Sequence, residues 1–123
     1  MRYMCPECKG AVSARGGVVV VGELAGSKVL FFFDPRPGCY GYEVAEGIEV
    51  PAGEMWEFSC PLCRANLTTK FNKKLARLDL VDGDEVRRVV FSKVADEQAT
   101  FVLGGDDLEA HGRDSISYID KKE

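Results

Sequence analysis

The sequence predicts a mainly β protein, with a long β-hairpin inserted between two cysteine-bearing turns and an antiparallel β-meander at the C-terminal end. Three observations carry this. Short apolar runs rich in β-branched and aromatic residues are cut by glycine-containing turns. The second half alternates apolar and polar residues between turn signals. Thirteen glycines and five prolines among 123 residues leave little room for a long helix.

The elements follow in order. Val18–Leu24 and Lys28–Phe33 are continuous apolar runs separated by Ala25-Gly26-Ser27, and read as a hairpin of strands buried on both faces. Asp34 to Gly41 combines two prolines with two glycines and reads as loop. Tyr42 to Val50 is a weaker strand broken at Gly47. Pro51-Ala-Gly53 turns into a strand at Glu54–Ser59, which places Trp56, Phe58 and Cys60 on one face. Leu75–Val81, Val86–Val94 and Ala99–Leu103 form the meander, with turns at Asp82-Gly-Asp-Glu85 and Ala95-Asp-Glu-Gln98. Leu108 to Ser117 reads as a helical turn, and residues 120–123 as a polar tail.

Composition bounds the function. An apolar fraction of 46% excludes wholesale disorder. A net charge of −4 argues against indiscriminate binding to nucleic acid, but leaves room for a local basic patch. The N-terminus shows no signal-peptide pattern, and the greasiest stretch is too interrupted to span a membrane. A cytoplasmic protein with no membrane partner is therefore expected. In that compartment thiols stay reduced, and five cysteines would in any case leave one outside a disulfide framework.

Four of the five fall into two matching pairs, Cys5-Pro-Glu-Cys8 and Cys60-Pro-Leu-Cys63. Each pair sets two thiolates on one side of a tight loop, and two such loops facing each other form the tetrahedral four-sulfur cage that Zn²⁺ prefers. A basic residue follows each pair, Lys9 and Arg64. Such cations offset the negative charge of a four-thiolate centre. Residues 9–59, 51 in number, separate the pairs, more than the roughly 15–20 of a compact site, so the strands between them are an insertion.

At these residues the chain resembles the zinc-ribbon group, in which two β-knuckles clamp one structural zinc. The resemblance covers Tyr3 to Gly10 and Trp56 to Leu67. It is also similar in part to rubredoxin, where an aromatic residue precedes the first knuckle and a tryptophan shortly precedes a Cys-Pro-x-Cys, here Tyr3 and Trp56. That likeness implies iron and one-electron transfer as an alternative to zinc. Glycine follows neither second cysteine, however, and the insertion is far longer than rubredoxin allows. The ligands carry over from these families; the electron-transfer role does not. On this reading residues 1–70 form a zinc-ribbon unit with a β insertion over about 11–53, and residues 71–123 form the meander packed against it, all within one domain.

The remaining candidates are weaker. Arg64, Lys70, Lys73, Lys74 and Arg77 form a basic stretch with no acid, and Phe71 within it could stack on a base; Arg87, Arg88 and Lys93 could extend it. The bland reading is a solvated strand edge that discourages pairing. Cys39 reads as a free, partly buried thiol packing beside Tyr40 and Tyr42, His111 as a surface histidine, and Asp106, Asp107 and Glu109 as a hydrated turn. Four cysteine ligands leave no open metal position for water, and no nucleophile or phosphate-loop motif is present, so the chain reads as non-enzymatic. The expected function is that of a small accessory or adaptor protein with a structural Cys₄ zinc site and a protein partner. A homodimer is allowed on the same grounds, since open apolar strands can pair with another chain. A nucleic-acid-binding module and a rubredoxin-like iron carrier are the alternatives.

Overall fold

The computed structural model describes residues 2–105 and 107–119; Asp106 and the expected polar tail at 120–123 lie outside them. In chain order the strands are β1 (Arg2–Met4), β2 (Ser13–Ala14), β3 (Gly17–Leu24), β4 (Ser27–Phe33), β5 (Tyr42–Glu43), β6 (Glu57–Ser59), β7 (Leu75–Asp82), β8 (Glu85–Ser92), β9 (Thr100–Gly104) and β10 (Asp107–His111), followed by one helical turn, α1 (Ile116–Ile119). They form two antiparallel sheets. One has the order β1-β7-β8-β9-β10; the other has the order β2-β3-β4-β5, with β6 also paired to β3. No helix among the described residues is long and apolar enough to cross a membrane.

The β3–β4 hairpin turns at Ala25 and Gly26, both at positive φ (54° and 87°), which matches the twist of the strands they join. Its register opposes Val20 to Phe31 and Val18 to Phe33, so these side chains share the inner face. Against them the other sheet sets Tyr3 from β1 and Leu78, Leu80, Val89 and Val102 from the meander, and the two inner faces form one continuous core. Aromatic rings stitch the sheets together, with Phe33 and Phe58 each about 6.0 Å from Phe91. Strand alternation turns position 22 inward beside Val18 and Val20, and glycine suits it because the ring of Phe31 occupies the side-chain space: a Cβ there would lie 2.5 Å from Phe31 Cε1.

Three expectations are corrected. The hairpin strands are buried on one face, not two; Val19, Val21 and Phe32 are half-buried and Leu30 is 60% exposed. The reason is that each sheet has only the other to pack against, which leaves the hairpin's outer face to solvent. The strand expected over Tyr42 to Val50 shrinks to β5, where only Phe32 and Phe33 offer ladder partners. The helical turn expected from Leu108 is instead β10, folded back on β9 by the turn after Gly104, and the helix is confined to α1. Tyr118 of α1 covers a second small core on the outer face of the meander, formed by Leu75, Val90, Ala99 and Phe101.

Candidate metal centre

The two Cys-Pro-x-Cys segments fold into the same turn. In the first, the Cys5 N–H donates to the Gly10 carbonyl (2.9 Å) and the Lys9 N–H to the Cys5 carbonyl (3.0 Å). In the second, Cys60 donates to Ala65 (3.0 Å) and Arg64 to Cys60 (2.9 Å). The leading sulfur of each turn accepts two backbone N–H bonds. Glu7 and Cys8 donate to Cys5 Sγ at 3.3 and 3.5 Å, and Leu62 and Cys63 to Cys60 Sγ at the same distances. Closing the turn drives Lys9 and Arg64 into the left-handed region, at φ 63° and 68°. Glycine is the easiest occupant of that conformation. This chain keeps a cation there instead, and the Lys9 ammonium donates to the Pro6 carbonyl of its own turn (2.9 Å).

Two elements bring the turns together. The first follows β1, which is paired to β7; the second follows β6, which is paired to β3. Arg77 on β7 reaches across to the first turn, its guanidinium donating to Glu7 Oε2 at 2.8 Å. That hydrogen bond holds the Glu7 carboxyl below its usual range. Gly10 lies against the second turn, and a Cβ there would sit 2.5 Å from Leu62 Cδ1.

The outcome is a cluster in which the Sγ atoms of Cys5, Cys8, Cys60 and Cys63 all lie within 4.8 Å of one another. Cys5 stands 3.8 Å from Cys63, and Cys8 stands 3.9 Å from Cys60. A tetrahedron with bonds of about 2.3 Å to sulfur has edges of about 3.8 Å, so these two separations match such a site and the cluster as a whole is compact enough to close on one ion. All four are free thiols; Cys5 and Cys60 are buried, Cys8 and Cys63 exposed. Burial pushes the Cys5 thiol up to about 12. Burial also opposes ionisation of Cys60, but the N–H groups of Cys63 and Leu62 and the neighbouring thiols outweigh it and hold Cys60 below the usual thiol range. A bound cation would offset the cost of ionising buried thiols in such a cluster. Four soft thiolates fit a single tetrahedral ion and leave it no open position.

Other residues singled out in the sequence are scattered. Arg64, Lys70, Phe71 and Lys73 are exposed. Arg77 is committed to Glu7, and Lys74 lies over the Tyr118 ring, 5.4 Å from its centroid. Lys93, expected to extend the basic surface, is instead buried: its ammonium donates to Glu57 Oε1 (2.9 Å) and Thr68 Oγ1 (2.7 Å). Its backbone also ties Trp56 to Lys74, bracing the segment that carries the second turn. Nothing in the local pattern around Lys93 marked it as internal. Arg87 turns toward Glu85 and Glu109. Arg88 is exposed on β8, opposite Asp79. Cys39, expected to be partly buried, is instead exposed, because the loop after β4 that carries it lies at the surface, and it is no part of the cluster; His111 pairs with Glu109 at 3.3 Å. Of the acidic turn, Asp106 lies outside the described residues.

No protein-family model, no curated protein and no solved structure matches the chain.

Proposed function

We propose that this chain is a small zinc-binding adaptor of the cytoplasm, non-enzymatic, in which a structural Cys₄ zinc centre of ribbon type holds the inserted hairpin in place for a protein partner. The observation that carries it is the closed four-thiol cluster beside an open apolar strip. Val19 opposes Phe32, Val21 opposes Leu30 on one side and Ser59 on the other, and Ser59 leads directly into Cys60. A structural ion closes a loop of more than fifty residues, and such closure limits the unfolded chain strongly. This strip, in which Leu30 is exposed and Val19, Val21 and Phe32 are half-buried, supports a contact surface for another chain, either a partner or a second copy. Reduced, metal-bound cysteines suit a reducing compartment.

The test has two arms. Elemental analysis of the purified protein should give one zinc per chain, and chelation should unfold it; a native fold that survives complete metal removal overturns the structural role. A photo-crosslinking residue at position 30 should capture one protein, or a second copy, far more efficiently than the same residue at position 84. Equal yields at the two positions overturn the adaptor role. A red protein that bleaches on reduction would instead establish the iron carrier.

One observation favours a nucleic-acid reading as the second choice. Phe71 is 72% exposed between two exposed lysines, Lys70 and Lys73. This reading predicts binding to a single-stranded oligonucleotide that weakens steeply with salt and is lost when Phe71 and both lysines are replaced by alanine.

A further inference from the structure

Between the sheets, beside the core, lies a cavity of about 200 Å³. Interiors pack with few voids larger than a water molecule. A dry 150 Å³ cavity is enough to take up benzene. The floor of this one is buried and apolar: Val18, Phe31, Trp56, Phe58, Leu78 and Val89. Its rim is formed by the loop from Asp34 to Tyr40 and the turn from Asp96 to Gln98. Two tyrosines strap that loop over the opening. Tyr3 donates to the Pro35 carbonyl (2.6 Å), and the Tyr40 hydroxyl bonds Thr100 Oγ1 (2.9 Å) and donates to the His111 carbonyl (3.2 Å).

The polar groups around the cavity specify what it can take. Asp34 is engaged by Arg36 at 2.7 Å, Lys93 by Glu57 and Asp96 by Arg113 at 3.7 Å, while Glu97, which has no cation beside it, accepts from the Ser92 and Tyr118 hydroxyls; every charged group in the lining is thus already engaged by another side chain. Trp56 is 3% exposed, and among the described residues its Nε1 is the one buried side-chain polar atom without a partner. A buried donor left unpaired is costly, and an acceptor carried by a bound molecule would satisfy it. The rings around it already present faces and edges: Phe31 meets Trp56 at 4.9 Å and 75°, and meets Phe58 at 5.2 Å and 89°. Such a box accepts another flat ring edge-to-face.

We propose that this cavity binds a neutral planar molecule of one or two rings, about ten non-hydrogen atoms, carrying one acceptor that takes the Trp56 indole N–H. The nitrogen has under 1 Å² of solvent contact, so the hydrogen bond requires the Trp56 ring to turn toward the ligand, and the indole resonance tests that turn as well. This site is separate from the four-thiol cluster and does not depend on its metal being zinc.

The chain's single tryptophan makes the test direct. The metal-loaded protein, labelled with ¹⁵N, is titrated with quinoline and, separately, with naphthalene, which has the same shape and no acceptor. The indole N–H resonance should move saturably with quinoline, with a midpoint at or below about 1 mM. Naphthalene should bind about fivefold more weakly, the ratio that one net hydrogen bond gives. The Val89→Phe variant, which fills the floor, should bind neither. Absence of saturation up to the solubility of quinoline, equal affinity for the two probes, or an unchanged titration in a folded Val89→Phe protein overturns the proposal. Should that variant not fold, intermolecular NOEs from quinoline to the Phe31 and Phe58 rings in the unaltered chain decide the matter, and their absence overturns it.

Discussion

Removing either partner of the Lys93–Glu57 pair should have opposite consequences in size, because only one of the two charges is buried. The Lys93 side chain is 1% exposed and that of Glu57 is 47% exposed. Glu57→Ala strands an ammonium with the Thr68 hydroxyl, 2.7 Å away, as its one remaining side-chain partner. Breaking a buried pair in this way costs about 3–5 kcal/mol, and the retained Thr68 bond places this case near 3 kcal/mol. With an unfolding entropy of about 2.1 cal/mol/K per residue, a chain of this length loses about 12 °C in Tm. Lys93→Met removes the charge but keeps the aliphatic stem, and leaves a carboxylate that water already reaches. Its cost should stay under about 1 kcal/mol, or about 4 °C. Burial alone would raise the Glu57 carboxyl; the hydrogen bond and charge of Lys93 outweigh it and hold the group below its ordinary value. A depressed carboxyl contributes stability above its unfolded pKa and loses it as pH falls through the folded one, so the pair's contribution should begin to decline below about pH 4.3 and disappear only under the lowered folded value. The assay is thermal unfolding of both single variants and of the double variant in excess metal, from pH 8 down to the pH at which the unaltered chain releases its metal, each read against the unaltered chain at the same pH. Equal losses in the two single variants at pH 7 would refute the asymmetry and the burial argument behind it.

Metal affinity, followed by competition with a chromophoric chelator, should fall at least about tenfold per pH unit below the thiol range, because protons compete for the same sulfurs; Cys39→Ser should leave the stoichiometry unchanged, and loss of metal in that variant would contradict the four-cysteine assignment. Burial, with Asp34 adding to it, pushes the Tyr3 phenol up to about 12, and burial with the Glu97 hydrogen bond does the same for Tyr118. Groups raised in the folded state stabilise it fully below their unfolded value and lose that contribution as pH climbs toward the folded one. Alkaline unfolding should therefore set in between pH 10 and about 12, with two tyrosines ionising late by absorbance at 295 nm; a single step near 10 with the fold intact would count against it. Gly112→Ala should cost more than Gly22→Ala in denaturant midpoints. At φ 100° its Cβ would lie 2.2 Å from the Gln98 carbonyl oxygen, a backbone atom, whereas Gly22 meets the edge of the Phe31 ring at 2.5 Å. About 1–3 kcal/mol is expected for Gly22→Ala and more for Gly112→Ala, and the reverse order would be unexpected.

Much of the β architecture was legible because period-two patterns and turn residues are local properties. Leu78 and Leu80 alternate with Arg77 and Asp79, and Asp82-Gly83 closes β7 onto β8, whatever lies around them. The four-cysteine site was legible for the same reason, since each Cys-Pro-x-Cys turn organises its own sulfur through hydrogen bonds three residues long. The hairpin's outer face was misjudged because Val19, Leu30 and Phe32 are as apolar as their inward neighbours. Residue type alone does not say how many sheets will cover a strand. Lys93 was misplaced because its partners, Glu57 and Thr68, lie 36 and 25 residues away.

The sequence by itself determined a mainly β chain, two matched cysteine turns and a spare thiol, because those follow from backbone preferences within a few residues. The tertiary structure alone decided that the turns converge into one four-sulfur cluster, that Arg77 serves Glu7 instead of an open basic face, and that an aromatic-lined cavity remains between the sheets. Each of these depends on which strands become neighbours, and strand pairing is settled by burial summed over the whole chain, not by any one segment.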